Sequence, residues 1–246
     1  MTGLFFHLIK MLKVSNIHYS INDKVILDGL SLELRDGHYF ALAGENGVGK
    51  STLIKIILDL IRNIDDGSIL IDGKEHKLKQ SRENIAYLPE KFDVKKEVTG
   101  WQYLKFIYGT YQQEIEKDNV ERLCSLMSLD FTKLRDRVGT FSKGMKQKLG
   151  LVSCFMLDTP LIILDEPLSG LDPKARFHFK KLLDLERKNN RTVFYSTHML
   201  ADAEEICDQF AILHKGKIVF SGTPQTCKEQ YNTATLEQAY MECISS

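Results

Sequence analysis

One octapeptide constrains this chain more than any other stretch: Gly44-Glu45-Asn46-Gly47-Val48-Gly49-Lys50-Ser51, followed by Thr52. It matches G-x-x-x-x-G-K-[ST] at every fixed position. Its flanks supply the context that the pattern needs. Tyr39-Phe40-Ala41-Leu42-Ala43 reads as a buried strand. Residues 52–58 read as a helix, with apolar side chains at Leu53, Ile56, Ile57 and Leu60. Between strand and helix, glycines let the backbone turn tightly with its N–H groups aimed inward, and the helix N-terminus adds positive potential. The product is a site for a phosphate chain. Lys50 is placed to reach its β- and γ-phosphates, and the Ser51 hydroxyl is placed to ligate Mg²⁺.

With 246 residues the chain has room for one domain with a sizeable core. Lys+Arg and Asp+Glu both number 33, so the formal net charge is zero, which argues against a nucleic-acid partner held by bulk charge. The five cysteines are scattered without a C-x-x-C pair, so neither a disulfide framework nor a zinc site is expected, and reduced thiols in the cytosol are the default. No run approaches the roughly 20 apolar residues of a membrane span. Residues 1–10 lack the features of a signal peptide. They read as a frayed tail, as extra residues before a start at Met11, or as a surface contact.

Along the chain, residues 12–18 alternate apolar and polar like a half-exposed strand ended by Tyr19. Val25-Ile26-Leu27 and residues 30–34 read as two further short strands separated by Asp28-Gly29. An antiparallel β layer therefore precedes the phosphate loop. After a turn at Asp65-Asp66-Gly67, strands are expected over residues 68–73, ending in an Asp72-Gly73 turn, and over residues 85–89. Residues 91–157 then read as helical. Thr99-x-x-Gln102 is a capping box, Val120, Leu123, Leu126 and Met127 form an apolar stripe, and a third helix opens at Ser142. The α/β alternation resumes with Leu161-Ile162-Ile163-Leu164, a continuous apolar run typical of a strand buried on both faces. Asp172-Pro173 opens a helix, residues 192–195 form a strand, and a hairpin turns at Lys215-Gly216. Residues 235–240 close the chain as an amphipathic helix suited to packing.

Three groups carry chemistry. Asp165 and Glu166 end the buried strand at the carboxyl edge of the sheet, beside the phosphate loop. Asp165 is suited to hold Mg²⁺, directly or through water. Glu166 is suited to accept a proton from an attacking water or to orient it. His198, after the strand and Ser196-Thr197, is either a surface residue or within reach of a γ-phosphate. Phe141-Ser142-Lys143-Gly144-Met145 is either an ordinary capped helix start or a second anion site, since Ser142 caps and Gly144 exposes backbone N–H groups.

Taken together, these residues resemble the nucleotide-binding domain of ABC (ATP-binding cassette) transporters, from about Leu12 to Gly222. The resemblance implies an α/β P-loop NTPase (RecA-like) core with an N-terminal antiparallel β subdomain and an inserted α-helical subdomain. Residues 12–90 and 158–222 would form the core and β subdomain, 91–157 the helical subdomain and 223–246 a tail helix of one single domain. Tyr19 looks like the aromatic residue that stacks on adenine. Gly44 to Ser51 is similar to Walker A. Glu90, in Tyr87-Leu88-Pro89-Glu90, falls where the Q-loop lies and would approach Mg²⁺ or the attacking water. Residues 141–145 resemble the signature motif, residues 161–166 Walker B with its catalytic glutamate, Ser169-Gly170-Leu171-Asp172 the D-loop, and His198 the switch histidine.

The mechanism implied is an ATP hydrolase. Two domains, identical or merely similar, would bind head to tail with two ATPs between them, each ATP touching the phosphate loop of one chain and Ser142 and Gly144 of the other. The helical insertion would pass the motion to integral membrane permease subunits on separate chains, at the cytoplasmic face of a bacterial inner membrane. Two departures stand out. Glu90 replaces the usual Gln, and F-S-K-G-M replaces L-S-G-G-Q. Both look like variants found in bacterial export ATPases that pair with ABC-2-type permeases. A soluble ABC ATPase, for example of the iron–sulfur assembly type, is the alternative implied by the cassette, and a non-hydrolysing ATP-gated scaffold is disfavoured by Glu166 and His198.

Overall fold

The structure is a computed structural model and describes residues 10–245. In chain order the elements are β1 (Lys10–Ile21), β2 (Lys24–Arg35), β3 (Tyr39–Ala43), α1 (Lys50–Ile57), β4 (Asp66–Ile71), β5 (Lys74–Glu75), α2 (Lys79–Glu83) and β6 (Ile85–Leu88). There follow α3 (Gly100–Thr110), α4 (Lys117–Leu126), α5 (Lys143–Phe155), β7 (Leu161–Leu164), α6 (Pro173–Glu186), β8 (Thr192–Thr197), α7 (Leu200–Ile206), β9 (Gln209–His214), β10 (Lys217–Gly222), α8 (Pro224–Tyr231) and α9 (Leu236–Ser245).

Two sheets organise the described residues. One is antiparallel, in the order β2-β1-β4-β5. The other runs β10-β9-β3-β8-β7-β6, with β9, β3, β8, β7 and β6 mutually parallel. The central strands β3, β7 and β8 are buried at every residue, as strands covered on both faces are; β3 and β7 are continuous apolar runs, while β8 buries Thr192, Ser196 and Thr197 beside Val193, Phe194 and Tyr195. Period-two geometry sends alternate side chains to opposite cores. Phe40, Leu42, Leu161 and Ile163 join α1 and the antiparallel sheet in one core. Tyr39, Ala41, Ile162 and Leu164 join the helical insertion, α6 and the C-terminal helices in the other. Phe40 and Phe194 stack across β3 and β8 with ring centroids 5.6 Å apart.

The helix caps expected from sequence are present. Thr99 and Gln102 form a reciprocal capping box at α3, Ser142 Oγ accepts the Met145 N–H at α5, and Asp172 Oδ1 accepts the Ala175 N–H at α6.

Several local readings are corrected. β1 continues past Tyr19 to Ile21, and the two short strands expected over residues 25–34 are one strand, β2. Asp28-Gly29 does not separate them: the register passes from Ile17 opposite Leu30 to Tyr19 opposite Leu27, so the extra residue is taken up as a bulge, with Gly29 at φ +67°. Asp66-Gly67 opens β4 rather than forming a free turn. Leu60 does not belong to the buried stripe of α1. The helix ends at Ile57, Asp59 turns left-handed at φ +57°, and Leu60 is 63% exposed. The tail carries two helices, α8 and α9, where the sequence pointed only to the closing one. Of the expectations for residues 1–10, all but Lys10 lie outside the described residues.

Candidate functional site

The phosphate loop joins β3 to α1 at the carboxyl edge of the parallel sheet. Gly49 caps α1 in a left-handed conformation (φ +117°) with no side-chain cap, and the first turn carries no acid, so the leading N–H groups remain available to an anion. A side chain at Gly49 would be strained by that φ and would meet Leu27 Cδ2 at 2.9 Å. The loop is anchored at its start, where the Gly44 N–H donates to Thr197 O (3.2 Å), and Val48 packs against the core of the antiparallel sheet.

Lys50 is 5% exposed, and its ammonium donates to Gly44 O (2.7 Å) and Glu45 O (3.1 Å). Glu166 Oε1 faces it at 3.2 Å, outside hydrogen-bond geometry, and is otherwise a buried acceptor without a bond among the described residues. The other carboxylate oxygen of Glu166 accepts from His198 Nδ1 at 2.8 Å. Lys50, Glu166 and His198 thus form a continuous chain from the loop to the end of β8. Asn46, Gly47, Gly49, Lys50, Ser51, Thr52, Glu90 and Glu166 line a cleft of about 290 Å³. An added side-chain atom at Gly47 (φ +82°) would meet nothing within 4 Å, so the loop is open on that side.

Asp165 follows β7, its N–H donating to Leu88 O at 2.8 Å, and is 1% exposed. Glu166 adopts φ +50°, an uncommon conformation for a residue with a Cβ. The turn that turns its side chain toward Lys50 is braced by two residues that sequence reasoning missed. Ser196 Oγ accepts the Glu166 N–H (2.8 Å) and donates to Asp165 Oδ1 (2.5 Å). Gln147 of α5, 7% exposed, donates Nε2–H to Pro167 O at 2.9 Å. Both stand next to stretches already singled out, Gln147 just after residues 141–145 and Ser196 just before Thr197-His198, but neither was assigned a role. The signal available was their polarity at positions that the strand and helix patterns bury.

The structure gathers part of the expected set and leaves part elsewhere. Glu90 joins the loop residues in the cleft, Asp165 and His198 flank it through Ser196 and Glu166, and Gly44, Glu45 and Val48 form the loop's backing. Tyr19 packs half-buried on the antiparallel sheet and does not line the cleft. Ser142 and Gly144 sit at the start of α5, also outside the cleft lining, and Lys143 lies across Gly170, where a Cβ would meet its Cε at 2.8 Å. Burial, then the nearby Asp165 charge, pushes the Tyr87 phenol up, so it stays protonated beside these acids.

The donor set suits Mg²⁺ in kind: one hydroxyl (Ser51) and two carboxylates (Asp165, Glu90), all hard oxygen donors. It is too sparse to hold the ion alone, and no cluster of three or more His, Cys, Asp or Glu that could hold a metal occurs among the described residues. A cation here therefore needs water or phosphate oxygens to complete its shell.

Comparison with known proteins places this geometry in a family. The ABC transporter family model matches residues 27–169. An uncharacterized ABC transporter ATP-binding protein of Synechocystis sp. is 34% identical over 215 residues, 86% of this chain and 60% of that protein, so the chain spans less than two thirds of that relative. The Nod factor export ATP-binding protein I of Rhizobium sp. is 30% identical over 89% of this chain and 72% of its own length. A solved structure of the ATP binding subunit of an ABC transporter superposes with a TM-score of 0.85 at 32% identity, covering 95% of this chain and 99% of that one. With its loop, strand-end acids and two-sheet P-loop NTPase fold, this chain belongs to the ABC transporter family, as a nucleotide-binding domain of that family.

Proposed function

We propose that this chain hydrolyses ATP as the motor subunit of an ABC exporter. The observation that carries the reading is the Lys50–Glu166–His198 chain, which ends in the cleft floored by the phosphate loop. Residues 44–52 cradle the phosphates with backbone N–H groups, and Lys50 turns its ammonium from the loop carbonyls to the β- and γ-phosphates. Glu166 accepts the proton of the attacking water or orients it, and His198 holds the carboxylate through Nδ1 while its other ring nitrogen reaches toward the γ-phosphate. Ser51, Asp165 and Glu90 would hold Mg²⁺, which would supply charge neutralisation for the phosphate oxygens when bound. Tyr19 stacks on the adenine.

Ser142 and Gly144 lie outside the cleft of their own chain, which supports a role toward the ATP of a second copy or of a similar ATPase in a head-to-tail dimer. Residues 12–90 and 158–222 act as the catalytic body, 91–157 as the arm that engages a permease of the ABC-2 type, and 223–246 as the tail, at the cytoplasmic face of the membrane. The export function named for the Rhizobium relative supports the direction of transport. No helix among the described residues is long and apolar enough to cross a membrane.

The test is ATP turnover of the purified protein, combined with capture of tagged Glu166→Gln protein with ATP from detergent-solubilised membranes. Turnover and a co-purifying multi-spanning protein are expected. A wild-type protein without turnover, or bait absent from membranes with soluble partners only, would reject the reading.

A further inference from the structure

We infer that Ser196 is a positioning residue for hydrolysis, holding Asp165 and Glu166 in one register through a single fully oriented hydroxyl. The inference rests on Glu166 being the group that handles the attacking water.

Ser196 sits on β8, between the strand that feeds the phosphate loop and the strand that ends in the two acids. It pairs with Leu42 of β3, and the register of Leu164 with Tyr195 brings Asp165 level with it on the other side. Alternation along β8 puts Ser196 on the face of Phe194, the side covered by α1. It is completely buried.

The direction of each bond is dictated by chemistry. A carboxylate only accepts, so the Ser196 proton goes to Asp165 Oδ1 at 2.5 Å. An amide N–H only donates, so the Glu166 N–H goes to the Ser196 oxygen at 2.8 Å. One hydroxyl therefore satisfies two consecutive residues, and its rotation is fixed. For Asp165 it occupies one carboxylate oxygen and so sets which way the other points. For Glu166 it fixes the backbone of a residue held at φ +50°, a conformation that persists only where surrounding contacts over-determine it. The carboxylate that meets Lys50 and His198 hangs from that backbone, so a shift of the turn moves both contacts together.

Ser196 is also the first of three consecutive residues that each grip a different part of the site. Thr197 O takes the Gly44 N–H of the phosphate loop, and His198 takes the Glu166 side chain. The end of β8 thus sets the spacing between the loop that binds phosphate and the acids that act on it.

The test compares Ser196→Ala, Ser196→Thr and Ser196→Cys with wild type in steady-state ATPase assays, calorimetric ATP titration and thermal unfolding. Ser196→Ala is expected to lower kcat by about 10- to 100-fold, the scale of a lost hydrogen bond to a charged group, with KM and ATP affinity within about threefold of wild type. Ser196→Thr, which keeps the hydroxyl and suits a strand, is expected to recover kcat to within about threefold. A residue that merely filled space would lower thermal stability without this split or this rescue. Should Ser196→Ala fail to fold, Ser196→Cys takes its place as a near-isostere with a poor donor, and the same loss is expected. A kcat within about twofold of wild type for the folded hydroxyl-free variant, or equal losses in the Ala and Thr variants, overturns the inference. Absence of turnover in the wild type would instead overturn the assignment as an ATPase.

Discussion

Lys50 Nζ lies 3.2 Å from Glu166 Oε1, with Lys50 5% and Glu166 8% exposed. In the proposed mechanism the cation that meets the phosphates and the acid that handles water are therefore each other's partners inside the cleft. A buried cation paired this way is poised rather than idle: phosphate oxygens compete with the carboxylate for the same ammonium.

Replacing that acid separates binding from chemistry. Glu166→Gln keeps the shape of the side chain but removes its charge and its ability to take a proton. Turnover is expected to fall by about 10²- to 10⁴-fold, the range of general-base catalysis, while ATP affinity holds or rises because Lys50 loses its competitor. Phosphate release and calorimetry measure the two. Unchanged turnover would show that Glu166 has a different role.

Replacing the cation has the opposite effect. Lys50 is the one positively charged side chain among the residues that line the cleft. Lys50→Ala is expected to abolish ATP binding at concentrations that saturate the wild type, while thermal unfolding shows that the protein remains folded. A calorimetric titration that still saturates would rule out the assigned contact with the phosphates.

Away from the cleft, Gly67 is a pure backbone requirement. It has φ +107°, and a Cβ would come 2.5 Å from Asn16 O and 2.8 Å from Ile17 Cα, both main-chain atoms of β1 that cannot turn aside. Gly67→Ala is expected to destabilise the fold by roughly 2–4 kcal/mol. Urea unfolding checks this, and a midpoint equal to that of the wild type would contradict it.

His76 gives the fold a pH dependence. It is 4% exposed, its Nδ1 lies 3.3 Å from Ile69 O, and Asp59, Lys77 and Arg82 surround it. Burial lowers its pKa below the ordinary 6.5, outweighing the Ile69 carbonyl and the Asp59 charge. The unfolded ring binds its proton first as pH falls, so the stability tied to the neutral ring is complete above about pH 6.5 and is lost below it. Denaturation midpoints at pH 7.5 and 5.5 are expected to differ more for the wild type than for His76→Gln. Equal differences would show that His76 does not titrate as described.

The parts of this protein that were legible in its sequence are those decided within a few residues. Glycine spacing gave the phosphate loop, continuous apolar runs gave β3 and β7, and Thr99, Ser142 and Asp172 marked helix starts, because caps and turns are made between residues i and i+3. The same local rules misplaced Leu60 and split β2, where a left-handed Asp59 and a bulge opposite β1 override the pattern.

What joins the pieces is a matter of register between strands far apart in sequence. Ser196 and Asp165 are separated by 31 residues, and Glu166 and His198 by 32. Their contacts follow from β7 and β8 lying side by side in parallel, a result of how α1, α6 and the helical insertion cover the two faces of the sheet. By itself the sequence determined that a phosphate loop and two strand-end acids would exist. Only the tertiary structure decided that Glu90 enters the cleft, that Lys50 meets Glu166, and that one serine hydroxyl holds both acids, because such distances are set by the packing of whole elements and not by neighbours along the chain.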